Sequence, residues 1–153
     1  MRSCYALSIV LLCVELSCVS TERTSLQDIN PTRIYKATVP ALFDEVRLFS
    51  IHEGFRLERF EQESGRIIGY RNVSVSSSEA GLSSQSSTNR SIVMVLKIRP
   101  TAERETSFIA SFVYGGGQIV LNRSDEEELV RCYKMLFRHL DEKLGPGQVP
   151  GPQ

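Results

Sequence analysis

The clearest hydrophobic pattern of the chain lies near its C-terminal end, where apolar residues recur every three or four positions between residues 124 and 144. This spacing predicts an amphipathic helix that must pack against another surface. Ser124 and Glu127 form a predicted capping box at its start, and Gly145 with Pro146 ends it. The predicted apolar stripe comprises Leu129, Val130, Tyr133, Leu136, Phe137, Leu140 and Leu144.

A second helical pattern lies in the first half of the chain, from Thr38 to about Glu53. Thr38 is suited to the N-cap position, Pro40 is tolerated in a first helical turn, and Gly54 follows as a stop signal. The apolar residues at helical spacing are Val39, Leu42, Phe43, Val46 and Phe49.

Between the two helices, apolar and polar residues alternate with the period of two that is typical of strands. Residues 118–123 are either a short extra strand or an extended approach to the last helix. A glycine turn at 63–65 joins the first two strands into a hairpin, and the last two form a meander. The predicted strands cover residues 55–62, 66–75, 91–100 and 106–114.

The order of these elements predicts an α+β fold, a two-layer sandwich. An antiparallel sheet of four or five strands carries the N-terminal and C-terminal helices on one face and leaves the other face to water. We expect a single domain over residues 35–144. Residues 76–90 are rich in serine and low in apolar content and are predicted to be a disordered loop, and residues 145–153 a disordered tail.

The first residues have the three-part arrangement of a secretory signal peptide. Arg2 precedes an apolar stretch of about eleven residues, from Cys4 to Val14, which is too short to span a hydrocarbon layer of about 30 Å. Small residues and a polar segment follow. We therefore expect an exported protein with a signal peptide at 1–17 and a flexible tether at 18–34.

The fate of Cys18 decides where the exported protein resides. The triplet "LSC" resembles the lipobox of bacterial lipoproteins, which implies that Cys18 becomes the lipidated first residue, although Glu15 stands where that pattern usually has leucine. The alternative is cleavage after Ser20, which yields a secreted soluble protein that starts at Thr21. A third reading keeps the leader as an uncleaved anchor.

Charge and cysteine content exclude several classes of function. Lys plus Arg and Asp plus Glu number 18 each, so the summed charge offers no long-range attraction to nucleic acid, and no nucleic-acid partner is expected. Three of the four cysteines lie in or beside the leader. Cys132 alone falls in the domain, where it is expected to behave as a buried hydrophobe rather than to form an internal disulfide.

No catalytic or metal-binding pattern stands out. His52 and His139 are the only histidines, and neither lies near the spacing of a metal motif, so no metal or cofactor is expected. The glycines at 115–117 lack the Lys-Ser/Thr that follows a phosphate-binding loop. A serine nucleophile motif is absent as well. The chain is therefore expected not to be an enzyme.

Residues 39–71 and the closing segment "ELVRCYKMLFRHLDEKL" resemble small bacterial envelope lipoprotein domains, including helix-grip domains. The resemblance implies a non-enzymatic, lipid-anchored module of the cell envelope. Its expected partners are the membrane, through the anchor, and another envelope protein. The alternative is a binding module for a small apolar ligand, held between the sheet and the last helix in a pocket lined by Phe108, Phe112, Tyr133 and Phe137.

Overall fold

The computed structural model describes residues 25–76, 87–115 and 121–151. They form an α+β fold in which a five-stranded antiparallel sheet carries two helices on one face. A short 3-10 helix (Leu26–Asp28) comes first. The other elements, in chain order, are β1 (Thr32–Tyr35), α1 (Val39–His52), β2 (Arg56–Glu61), β3 (Arg66–Ser76), β4 (Ser87–Ala102), β5 (Glu105–Gly115) and α2 (Arg123–Leu144).

The strands lie in the order β1-β5-β4-β3-β2, so the last four form a meander and β1 joins at its far side. The turn between β2 and β3 depends on Gly65, which has a positive φ of 65°. Its carbonyl accepts a hydrogen bond from the amide of Ile98 at 2.7 Å. A side chain at position 65 would collide with the Ile98 carbonyl, so both the backbone angle and the close approach require glycine.

The core lies between the sheet and the two helices, as the sequence pattern predicts. Alternate residues of β4 and β5 point into it, and five of the seven residues of the predicted apolar stripe of α2 are buried, while Tyr133 and Leu144 are partly buried. Cys132 is buried with them, which confirms the reading of its thiol as part of the apolar layer. The largest fully buried side chains are Tyr35, Leu42, Phe43, Val46, Ile67, Ile92, Met94, Leu96, Ile98, Phe108, Leu136 and Leu140.

The start of α2 differs from the prediction. The N-cap is Asn122 and not Ser124. The Asn122 side chain accepts from the Asp125 amide at 2.9 Å, and Asp125 accepts from the Asn122 amide at 3.2 Å. This box forms two residues earlier because Asp125 is buried and also binds Arg90, at 2.7 Å. Thr38 does occupy the N-cap position of α1, but its side chain makes no capping hydrogen bond.

The predicted tether is wrong over residues 25–34, because the fold begins there. The amide of Leu26 donates to Glu126 of α2 at 3.0 Å, and β1 pairs with β5 from Thr32↔Ile109 to Tyr35↔Thr106. Without β1, this part of β5 would present unpaired backbone groups at the edge of the sheet. Residues 18–24, like the signal peptide, lie outside the described residues.

The predicted disordered tail is likewise corrected, since residues 145–151 are described. Gln148 and Ile34 exchange two backbone hydrogen bonds of 2.8 Å, which extends the sheet beyond β1. The amide of Gly147 donates to Asp141 at 2.9 Å. A polar edge that would otherwise be open thus gains partners.

Strands occupy both ends of the segment 76–90 that was predicted to be a disordered loop. β3 continues to Ser76 and β4 begins at Ser87, and the part of the prediction that concerns residues 77–86 lies outside the described residues. Leu121 and Asn122 lead into α2 and do not belong to a strand. The predicted alternative of an extra strand cannot be compared at residues 118–120, which lie outside the described residues.

Truncation of Leu136 to alanine should lower the free energy of unfolding by about 2–5 kcal/mol, because this fully buried side chain would leave a cavity under α2. The matched control is Leu48→Ala on α1, where leucine is 51% exposed and the loss should stay below about 0.5 kcal/mol. Urea unfolding measures both values. Equal losses in the two variants would contradict the placement of the core.

Candidate functional site

The four aromatic residues of the predicted apolar pocket meet in the structure, but they do so in direct contact. Tyr133 packs edge-on against Phe112 with ring centroids 4.9 Å apart, and Phe137 packs edge-on against Phe108 at 6.3 Å. Phe108 and Phe112 are almost fully buried. The four rings therefore fasten α2 to β5, and only Tyr133 and Phe137 reach a surface depression.

That depression is an open groove of about 590 Å³ between α2 and the segment before β1. Ile29, Tyr133 and Phe137 supply its apolar lining. The remaining lining residues are polar or charged with both signs represented, namely Asp28, Asn30, Arg33, Lys134, Arg138, Asp141 and Glu142. Such a groove could hold a small molecule that has an apolar body and a polar tip.

Arg33 partly covers the groove's aromatic lining. Its guanidinium lies 4.5 Å from the centre of the Phe137 ring, within the range of a cation–π interaction. Nη1 of the same side chain donates to the carbonyls of Asn30 and Thr32, both at 3.0 Å. These bonds hold the guanidinium in place, so Arg33 forms one wall of the groove.

Tyr133 also completes the backbone pairing of β5. β1 is only four residues long. On the edge of β5 that faces β1, the amides beyond Ile109 therefore have no partner in a strand. The amide of Ala110 donates to the Pro31 carbonyl at 3.0 Å, and the amide of Phe112 donates to the Tyr133 hydroxyl at 3.2 Å. Tyr133 thus lines the groove and also satisfies a backbone amide at the edge of the sheet.

A second cluster surrounds Arg71, which points from β3 toward the helices. Nη2 donates to Glu128 of α2 at 2.8 Å, and Nη1 donates to the Glu53 carbonyl at the end of α1 at 3.3 Å. The guanidinium also lies 5.0 Å from the ring centre of Phe55. One arginine therefore links the two helices and the sheet. No pattern of spacing marked it, although it is in phase with the inward residues of β3.

Cys132 lies beside this cluster, with its sulfur 3.5 Å from Nη2 of Arg71. Burial raises the pKa of the thiol to about 11, despite the opposing effect of the Arg71 charge. The protonated thiol is therefore the stable form at neutral pH, which is unsuited to a nucleophile. The pKa of Tyr35 is raised as well, first by burial and then by the nearby Asp141 carboxylate.

The two histidines occupy different settings. His52 is exposed at the end of α1, next to Glu53. His139 is three-quarters buried, and its Nε2 lies 3.2 Å from Glu45, so this pair joins α2 to α1. Within the described ranges, no three metal-binding side chains come together.

The sheet has an open face that neither helix covers. The strand register arranges its side chains in rows, in which Tyr70, Val93 and Val113 are neighbours, as are Ile68 and Val95. Ile109 and Val113 are 37% and 47% exposed. The sequence predicted that this face exists, but not that its centre is apolar.

In a comparison with known protein families and with curated proteins, the chain matches no family model and no curated protein. Among the described residues, no helix has an apolar stretch long enough to cross a membrane.

Substitution of Tyr133 by phenylalanine should lower the free energy of unfolding by about 1 kcal/mol, because the amide of Phe112 loses its acceptor while the ring contacts remain. Tyr70→Phe is the control, since the Tyr70 hydroxyl has no hydrogen-bond partner within the described part of the chain. Its effect should remain within about 0.5 kcal/mol. If Tyr70→Phe lowered the free energy of unfolding by as much as Tyr133→Phe or more, the assigned role of the Tyr133 hydroxyl would be contradicted.

Native Cys132 should react with iodoacetamide about 100-fold or more slowly than the same residue in urea. At pH 8, a pKa of about 11 leaves about one thiol in a thousand ionised, against about one in four for an ordinary cysteine. Mass spectrometry of the peptide that contains Cys132 measures both rates. Comparable rates in the two states would contradict the burial of the thiol.

The raised pKa of Cys132 also predicts a contribution to the free energy of unfolding. This contribution is complete below about pH 8 and is lost as the pH rises toward 11.

Proposed function

We propose that the chain is an exported, lipid-anchored, non-enzymatic protein of the cell envelope that acts as a protein-interaction module. The observation that carries the interaction role is the open sheet face, where half-buried and exposed apolar side chains lie next to one another. Exposed apolar surface of this kind is typical of binding sites. The anchoring role rests on the leader and on Cys18.

The position of Ser25 supports an anchor that holds the domain close to a membrane. Because Ser25 already belongs to the described fold, at most residues 18–24 are left for a tether after Cys18. Seven residues span about 25 Å when fully extended. A lipid on Cys18 would therefore keep the domain within roughly its own diameter of the bilayer.

The non-enzymatic role is supported by how the buried ionisable groups are used. Arg90 is paired with Asp125 at the start of α2, and Arg71 is paired with Glu128 between sheet and helix. His139 meets Glu45 where the helices touch, and neither residue lines the groove. Each pair has a structural role that accounts for its position.

The groove beside Tyr133 and Phe137 favours one alternative, a binding module for a small apolar ligand. Such a ligand would contact Tyr133, which is partly buried, beside the guanidinium of Arg33 that covers Phe137. A thermal-shift screen with Lys134→Ala as the groove variant distinguishes this function, because a ligand that occupies the groove raises the melting temperature in proportion to its concentration.

Cys18→Ala should release the protein from the detergent phase or block its processing, because stable anchoring requires two or more acyl chains, which the alanine cannot accept. Cys13→Ala serves as the matched control within the leader and should leave partitioning unchanged. Phase separation in detergent and intact mass measure the two outcomes. An unmodified N-terminus at Thr21 would contradict lipid anchoring and favour the secreted soluble form.

A further inference from the structure

The open sheet face has a charge distribution that the overall composition conceals. In register, Arg59 lies beside Ile68 and Val95, and Arg56 lies beside Tyr70 and Val93. A further row runs from Glu61 through Arg66 and Lys97 to Ile109. Arg99 is next to Ser107. These four rows hold five basic residues and one acidic residue, although the whole chain is neutral.

The arrangement of the rows places the apolar residues in the middle of the face and the positive charges on two sides of them. Arg56 and Arg59 lie along the free edge strand β2, whereas Arg66, Lys97 and Arg99 lie across one end of β3 and β4. All five side chains are exposed. An apolar centre with a charged, accessible rim is the usual anatomy of a protein-binding surface.

From this surface we infer that the open sheet face binds a partner protein through an apolar patch that has an acidic rim. This inference rests on the proposed function and adds the chemistry of the partner. The rim charges would attract acidic side chains during encounter and reject basic surfaces, while the residues of the apolar centre would supply the buried contact. The acidic rim is the feature that distinguishes this partner from others.

Residues 77–86 are too few to cover the basic end of the face. They connect the two strands at the Ser76↔Ser87 pair, ten positions from the Arg66↔Lys97 pair. That separation is about 33 Å along the strand. A ten-residue loop that leaves and returns reaches at most about 17 Å. The N-terminal segment joins the fold beside Glu126, on the side of the helices.

A second copy of the chain is also a poor occupant. If two open faces packed together, five basic residues on each copy, against the two acidic residues Glu61 and Glu105, would confront the same set on the other. Like charges that are brought together at an interface oppose association. The charge pattern therefore favours a different, acidic molecule.

A protein fits this face better than an anionic membrane does. Membrane-binding surfaces insert bulky apolar side chains below the level of the lipid headgroups, whereas the centre of this face consists of valine, isoleucine, Ser111 and one half-buried tyrosine. The tether also emerges near the start of α2, on the opposite layer. With only residues 18–24 between the anchor and the fold, that layer would lie nearer the bilayer, and the sheet would face away from it.

A photo-cross-linking experiment on the full chain in its native cell tests the inference. The probe is benzoylphenylalanine at Ile109 of the open face, and the control position is Ile51, which is 68% exposed on α1. We expect a protein adduct from position 109. Arg66→Glu with Arg99→Glu should reduce its yield about tenfold or more, because the reversed charges would repel an acidic rim.

The matched control is Arg47→Glu with Lys143→Glu, which reverses two exposed basic residues on α1 and α2 and should leave the yield unchanged. In membranes isolated from the same cells, raising the salt to about 1 M before irradiation shortens the range of electrostatic attraction to about 3 Å and should also reduce the adduct. Urea unfolding of both double variants checks that the domain remains folded.

Four results would overturn the inference. They are an adduct to lipid, an adduct to a second copy of the chain, a protein adduct that survives both charge reversal and high salt, and an adduct from position 51 but none from position 109. Detergent partitioning is read separately. An absent adduct with intact partitioning would refute the docking face alone, whereas a charge-dependent adduct in a chain that is not lipidated would refute the anchor alone.

Discussion

The burial of one sheet face under both helices is the contact on which the rest of the structure depends. β4 and β5 direct alternate side chains toward α2, where they pack in one core with the buried residues Leu129, Leu136 and Leu140 of that helix. Since a strand exposes its other side chains on the opposite face, the same contact determines which residues form the open surface. The core and the candidate interface thus both follow from the alternation of side chains between the two faces of the sheet.

The ends of the sheet show how the fold manages backbone groups that the core leaves unpaired. On one side β1 is short, and Gln148, Pro31 and the Tyr133 hydroxyl supply the missing partners. On the other side β2 is exposed, charged and interrupted by a bulge between Leu57 and Arg59. Charge and irregularity discourage pairing with a second sheet. The β2 edge is therefore poorly suited to accept an added strand.

Sequence periodicity predicted α1, α2 and four of the five strands. It missed β1, because "TRIY" is only four residues long and pairs with a strand that is distant in sequence. It misplaced the cap of α2, because Asp125 is drawn inward by Arg90, a contact that local patterns do not contain. In the predicted pocket, the four aromatics were correctly brought together, but ring contacts fill the space that spacing alone left open.

The residues that give the open face its character could not be identified from the sequence for a related reason. Arg56, Arg66 and Lys97 lie on three different strands, and only the register brings them to one surface. Because each also alternates with a core residue, its charge can be changed while the buried layer stays as it is. The fold thereby separates stability from recognition, and substitutions on this face can test binding without first destroying the domain that presents it.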